Sequence, residues 1–270
     1  MLLPLVIDPA QLAPVLTDAN LIVVDLSSTE HYQQGHIPGA INIDPTRLLS
    51  GSTPIANTLP SSEQLSALFS ECGITQDSHV VVYDDQYGPW AGRFIWSMHC
   101  CGLQNASFLN GHLAAWIEAG LSISQQDHQP TPSALTVNTD QPLVADKSFI
   151  LQNLNNGSLS IWDARSRSEY TGEKVINAAK GGHIPGAHWL EWTDTLSSLT
   201  PATLADPASL RQQITAAGID MDKTVVTHCQ THRRSGLTYI AARHAGIRDI
   251  RCYDASWFEW GNAPDTPVEK

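Results

Sequence analysis

Long apolar runs are missing from this chain. None approaches the about 20 residues that a bilayer-spanning helix needs, so no membrane span is expected. Positive charge is scarce as well. Fifteen Lys and Arg stand against 27 Asp and Glu, a formal net charge of −12 over 270 residues. That balance argues against nucleic acid and anionic membranes as partners. Charge of either sign is thin, at 16%, so no solvating charged tail is in view. The five cysteines, Cys72, Cys100, Cys101, Cys229 and Cys252, are odd in number and follow no zinc or disulfide spacing. Free thiols suit a reducing compartment, and a cytoplasmic location is expected. The first residues lack a basic region and are broken by Pro4 and Asp8, so a signal peptide is not expected.

What is present is enough apolar material for real cores. The hydrophobic fraction is 42% and includes eight Trp, and the length suits two domains of ordinary size. An internal repeat divides the chain. Gly35-His36-Ile37-Pro38-Gly39-Ala40 recurs letter for letter as Gly182-His183-Ile184-Pro185-Gly186-Ala187. Each copy follows an apolar run that ends in Asp, at Asp25 and Asp163. Tyr32 and Tyr170 each sit seven residues past that Asp. Each half closes with an amide or acid six residues before a Trp, Asn110 to Trp116 and Asp254 to Trp260. Short β-branched runs alternate with helix-like stretches, which predicts α/β domains with a parallel-stranded sheet flanked by helices. The expected division is a domain over 1–122, a polar, Pro-containing linker over 123–143 and a second domain over 144–270. The invariant Pro and Gly of the repeated hexapeptide suit tight turns, so His36 and His183 are read as architectural.

The two halves differ where chemistry would sit. Thr224-Val225-Val226-Thr227-His228 reads as a strand that stops at Cys229. Gln230-Thr231-His232-Arg233-Arg234 follow, and then a helical pattern starts. This order puts one thiol at the N-terminal end of a helix, where unpaired N–H groups and nearby cations favour the thiolate. The ring of main-chain donors is expected to leave the sulfur open to solvent. Laying Gly92 on Gly236 sets Asp85 opposite Cys229 and Trp90 opposite Arg234. The second half is therefore the catalytic candidate, and the first is expected to serve as a structural partner forming one wall of a cleft. The other four cysteines lack a cation-rich loop and are read as inert. His228, Cys229 and His232 offer three metal ligands without a fourth, so no metal is expected.

Two copies of Gly-His-Ile-Pro-Gly-Ala, with Cys229-Gln230-Thr231-His232-Arg233-Arg234 in the second half only, resemble tandem-domain rhodaneses of the bacterial branch. Asp163-Ala164-Arg165-Ser166 and Trp257-Phe258-Glu259-Trp260-Gly261-Asn262 carry the same resemblance. It covers nearly the whole chain. Arg233 departs from it by standing where a His is usual. The resemblance implies two rhodanese-like domains and a sulfurtransferase moving sulfane sulfur from thiosulfate to cyanide or another thiophile. Cys229 would carry that sulfur as a persulfide, with no separate cofactor. Residues Gln230 to Arg234 would cradle it, Trp192 would stand near the loop, and Arg165 would reach the cleft or pair within its own domain. Small anionic sulfur donors and thiophilic acceptors are the implied partners. A protein acceptor and a 3-mercaptopyruvate donor are the alternatives, and a monomer is expected. Glu169 stands where mammalian thiosulfate enzymes of this kind carry a basic residue. A phosphatase is disfavoured, because four residues rather than five separate Cys229 from Arg234.

Overall fold

The computed structural model describes residues 3–139 and 142–270. Met1 and Leu2 of the N-terminal segment, and Asp140 and Gln141 of the expected linker, lie outside the described residues. The chain forms two compact units. One comprises 1–48, 60–141 and 197–204, and the other 49–59, 142–196 and 205–270.

The first unit is built on strands β1 (Val6–Ile7), β2 (Leu21–Asp25) and β3 (Ile41–Asn42). The hairpin β4 (Ser50–Ser52) and β5 (Ile55–Thr58) follows in sequence but belongs to the second unit. β6 (His79–Tyr83) and β7 (Ala106–Leu109) complete the first sheet. Its order is β1-β7-β6-β2-β3, and every pairing is parallel. Parallel strands need crossovers, which here carry helices, so both faces are covered. β6 is buried at all five positions, as its run of β-branched residues requires. Val23, Val81, Tyr83 and Trp116 share its core.

The second unit repeats the plan with β8 (Leu159–Asp163), β9 (His188–Trp189), β12 (Thr224–His228) and β13 (Ile250–Cys252), in the order β13-β12-β8-β9 and again parallel. Between them in sequence lies the hairpin β10 (Leu196–Leu199) and β11 (Ala202–Leu204), which sits largely in the first unit. Ile161, Val226, Tyr253, Trp257 and Trp260 fill the second core.

The repeated motifs now have physical roles. His36 stacks on Tyr32 at 3.7 Å between ring centroids, and His183 on Tyr170 at 3.8 Å. Each imidazole also bonds that tyrosine's carbonyl through Nδ1, at 2.8 and 3.0 Å. The closing Asn110 and Asp254 each hold a hairpin. Leu204 N–H donates to Asn110 Oδ1 at 2.8 Å, and Leu59 N–H donates to Asp254 Oδ2 at 2.7 Å. The partner Trp116 and Trp260 each anchor a following segment, through Nε1–H to Ser122 O and to Pro267 O.

The polar stretch after Ser122 is strapped to the first unit. Ser124 bridges His36, and the backbone N–H groups of Leu135, Val137 and Thr139 donate to the hydroxyls of Ser70, Ser66 and Ser62. Those three serines are spaced at four along the helix Ser62–Glu71, which aligns them on one face. Among the described residues, no helix is long and apolar enough to cross a membrane.

Candidate active site

β12 ends at His228, and the helix Arg234–Ala245 begins six residues later. The loop between them turns back on itself because His232 takes φ 51°, a left-handed conformation that its counterpart Gly88 reaches more easily. Ser256, also at positive φ, ties the loop down. Its Oγ accepts from Cys229 N–H at 3.3 Å and His232 N–H at 3.1 Å, and donates to Tyr253 O at 2.7 Å.

Cys229 sits at the centre of that turn. The Ser235 hydroxyl donates to Sγ at 3.5 Å, and the backbone N–H groups of Ser235 and Thr231 also face it. Burial alone pushes the thiol up. The Arg234 charge, together with these donors, overcomes burial and brings it below the usual thiol value. Burial pushes Cys72, despite the Arg47 charge, and Cys101 up to about 12. None of the five cysteines is in a disulfide. Of Cys72, Cys101 and Cys229, Cys229 is the one whose surroundings favour the anion.

His232 is buried, and its Nδ1 lies 2.7 Å from Ser235 Oγ. A serine hydroxyl has one hydrogen. With that hydrogen directed at Sγ, His232 Nδ1–H is the donor to Ser235 Oγ. A relay of His232, Ser235 and Cys229 results.

Arg234 opens the helix with its guanidinium on Glu169. Nη1 and Nη2 bond Oε2 and Oε1 at 2.7 and 2.9 Å. Burial would raise Glu169, but Arg234 and the Ser166 cap hold it down to about 2. The capping box Ser166–Glu169 fixes this carboxylate at the start of the helix Arg167–Tyr170. Arg234 thus answers two anions, Glu169 and Cys229, and Glu169 sets its position.

Beneath the loop, Asp163 accepts Arg165 Nε on both oxygens, at 2.9 and 3.1 Å, and Nη2 at 2.5 Å. Arg165 is 1% exposed, lies 4.2 Å over the Trp257 ring and donates to Gly182 O at 2.7 Å. It braces the repeated hexapeptide through its own unit. Burial pushes the His228 imidazole down against the pull of Asp163, and its Nδ1–H faces Cys229 O at 3.2 Å. Trp192 begins the turn Trp192–Thr195, which packs on the helix Arg234–Ala245. Gln230 Nε2 is tied to Ile176 O at 2.6 Å, Thr231 is half-buried, and Arg233 is exposed.

One expectation needs correction. Cys229 is only 1% exposed, because Ser235, Thr231 and the Ser256 tether wrap the sulfur closely. Thr231 and Ser235 N–H face the sulfur, while His232 N–H is taken by Ser256 Oγ. The residues that sequence reading passed over are Ser235 and Ser256. Ser235 adjoins the cationic pair. Ser256 lies two residues past the recurring Asp254, where the first half has His112. Among the described residues, no group of three His, Cys, Asp or Glu is placed to hold a metal ion.

The rhodanese-like domain matches residues 8–119 and again 147–263. The chain belongs to the rhodanese-like family. A thiosulfate sulfurtransferase of Azotobacter vinelandii is 47% identical over 270 residues, covering 99% of this chain and 97% of that protein. A thiosulfate sulfurtransferase of Pseudomonas aeruginosa is 44% identical over 268 residues, covering 99% and 97%. The crystal structure of SseA from Escherichia coli superposes with a TM-score of 0.84 at 23% identity, covering 94% of this chain and 99% of SseA, and shows the same fold.

Proposed function

We propose that this rhodanese-like protein is a thiosulfate sulfurtransferase that works through a Cys229 persulfide. The observation that carries this reading is a buried thiol with its pKa lowered by Arg234 and by donors from Ser235 and Thr231. Cys229 thiolate attacks the outer sulfur of thiosulfate. The S–S bond of the donor breaks, its electron pair leaves with sulfite, and a Cys–S–S⁻ persulfide remains. Cyanide or another thiophile attacks the outer sulfur, giving thiocyanate in the cyanide case and returning the thiolate. No proton moves in either half-reaction, so oriented donors and Arg234 suffice in place of a general base.

In this reading Gln230, Thr231, His232, Arg233 and Arg234 form the sulfur-binding loop, with Arg165 and Trp192 in support. Arg233, exposed at the loop, draws anions toward it on a surface that is otherwise acidic. Residues 144–270 carry the chemistry, and 1–122 form a non-catalytic partner domain. Sulfur is held covalently, and no metal or other cofactor takes part. Donor and acceptor are small and anionic, the protein acts as a monomer, and five cysteines outside any disulfide support a reducing, cytoplasmic setting.

The test is mass spectrometry of the intact protein after thiosulfate. One added sulfur should map to Cys229 and leave on treatment with cyanide. Cys229→Ser should lose both the adduct and turnover, by roughly a thousandfold or more. An adduct retained in Cys229→Ser sinks the mechanism. The tight loop adds a second expectation. A bulky maleimide should label Cys229 far more slowly than thiosulfate loads it, and equal rates would mean that the loop stands open in solution.

A further inference from the structure

The first unit contains a cavity of about 420 Å³ that the sulfur chemistry does not use. That volume lies in the range of small-molecule sites. It is lined by Leu113, Ile117 and Ile123 and by Leu199 and Pro201 of the β10–β11 hairpin. All of these residues belong to the first unit. Among the described residues, six large apolar side chains stand exposed, and four of them, Tyr87, Ile117, Ile123 and Leu199, line this cavity. Exposed apolar surface is therefore gathered in one concave place, which is the mark of a binding site and not of scattered surface residues.

Asp84 and Asp85 bring two carboxylates to the lining, beside the imidazoles of His31 and His112. Asp85 lies there, at the position that Cys229 holds in the other half. Its Oδ2 takes the Ser28 N–H at 3.3 Å and His31 Nδ1 at 2.6 Å. Its Oδ1 accepts no hydrogen bond from any described residue. Asp84 also lines the cavity, but its oxygens are consumed by backbone N–H groups. Asp85 is thus the one carboxylate there with an oxygen to offer a ligand.

We infer that this cavity binds a small organic cation, an ammonium carried on an apolar body of aromatic size, with the charge on Asp85 Oδ1 and the body between Ile117 and the hairpin residues Leu199 and Pro201. A partly exposed carboxylate in an apolar mouth attracts a cation more strongly than it would in open water. A charge-assisted hydrogen bond fixes its orientation, and the walls supply the area.

The test is calorimetric titration of the intact protein with 2-phenylethylamine, using 2-phenylethanol and 3-phenylpropionate as neutral and anionic counterparts. The amine should bind saturably, with a Kd at or below about 1 mM. The alcohol should bind about tenfold more weakly, and the acid more weakly still. Asp85→Asn should weaken amine binding by about tenfold, leave the alcohol unchanged and leave thiosulfate turnover unchanged. Ile117→Trp, a change at an exposed position, should weaken the amine and the alcohol together and carries the test if Asp85→Asn fails to fold. Cys229→Ser should bind the amine as the wild type does. No saturable binding, equal affinity for amine and acid, amine binding undiminished in Asp85→Asn or Ile117→Trp, or loss of it in Cys229→Ser would each overturn the inference.

Discussion

The loop 84–92 and the loop 228–236 lie at the same place in the two halves, between a central parallel strand and the helix that follows it. They spend their backbone N–H groups differently. In the first, the Asp84 carboxylate accepts from Gln86, Gly88, Trp90 and Ala91 N–H, all at 2.8–2.9 Å. The helix Pro89–Cys100 is thereby capped by a carboxylate of its own chain. In the second, His228 replaces Asp84 and turns its Nδ1–H to Cys229 O. No carboxylate of the loop fills the turn, and Thr231 and Ser235 N–H face the Cys229 sulfur. An anion cradle at a helix start is common to both. Which anion occupies it, a resident carboxylate or a thiolate, is decided at one position on each side.

The largest effect expected from disturbing this comparison is on stability. Asp84→Ala leaves several N–H groups without an acceptor beneath a helix that is buried along its whole length. Urea unfolding should show a loss of about 2–4 kcal/mol. A loss below about 0.5 kcal/mol would mean that water or other groups satisfy those donors equally well, and the contrast between the loops would weaken.

Next in size is the electrostatic support of the second loop. Arg234→Ala should lower kcat/KM for thiosulfate by roughly tenfold or more. It should also move the pH midpoint of Cys229 alkylation upward, because the first opponent of burial at that thiol is the Arg234 charge. Arg234→Lys should fall between, since one ammonium keeps the charge but cannot span both oxygens of Glu169. Wild-type turnover and an unmoved alkylation midpoint in Arg234→Ala would remove this residue from the mechanism.

Glu169 is expected to act through Arg234, and so more weakly. Glu169→Gln keeps the Ser166 cap but loses the charge, and turnover should fall by about two- to fivefold. Its effect on acid stability has a definite sign. Glu169 is held at about 2 in the folded protein against an ordinary 4.5. The pair therefore stabilises fully above about pH 4.5, and that contribution is lost as pH falls toward about 2. The wild type should lose stability relative to Glu169→Gln across that window, measured by denaturant midpoints from pH 5 to pH 2. A constant difference between the two proteins would show that the charge of Glu169 is not what the fold uses.

Much of this was visible in the sequence, because repeats and local order leave traces in spacing. The doubled hexapeptide, the strand that stops at Cys229 and the cations after it are all short-range patterns. What spacing could not reveal are partners far apart in the chain. Asn110 and Asp254 announced themselves by recurring before Trp, but their ligands, Leu204 and Leu59, lie 94 and 195 residues away. Glu169 reads in the sequence as an acid in place of a base. Its pairing with Arg234, across 65 residues, depends on how two helix starts converge. The stretch after Ser122 reads as linker by its Pro and polar content. Its attachment rests on three hydroxyls spaced along a neighbouring helix, which hydropathy does not register. The near-complete burial of Cys229 comes from a wrap of small side chains and N–H groups and has no sequence signature.

The smallest expected effect is the most informative. Asp85→Cys, made in the Cys229→Ser background, places a thiol at the matching point of the first loop. A reading of the site as merely a cysteine between a strand and a helix predicts that this thiol loads sulfur. The contrast between the loops predicts that it does not. Asp84 already holds the Ala91 N–H, the counterpart of the Ser235 N–H that serves Cys229. Ala91 has no hydroxyl where Ser235 has one, and Trp90 has no charge where Arg234 has one. The new thiol would meet His31, and a carboxylate one residue away. Intact-mass analysis after thiosulfate should show no added sulfur on residue 85. If sulfur does load there, the preorganised donors of the second loop are not what makes Cys229 reactive, and position in the fold alone suffices. If it loads only after Asp84→His is added, the resident carboxylate is identified as the group that keeps the first loop silent.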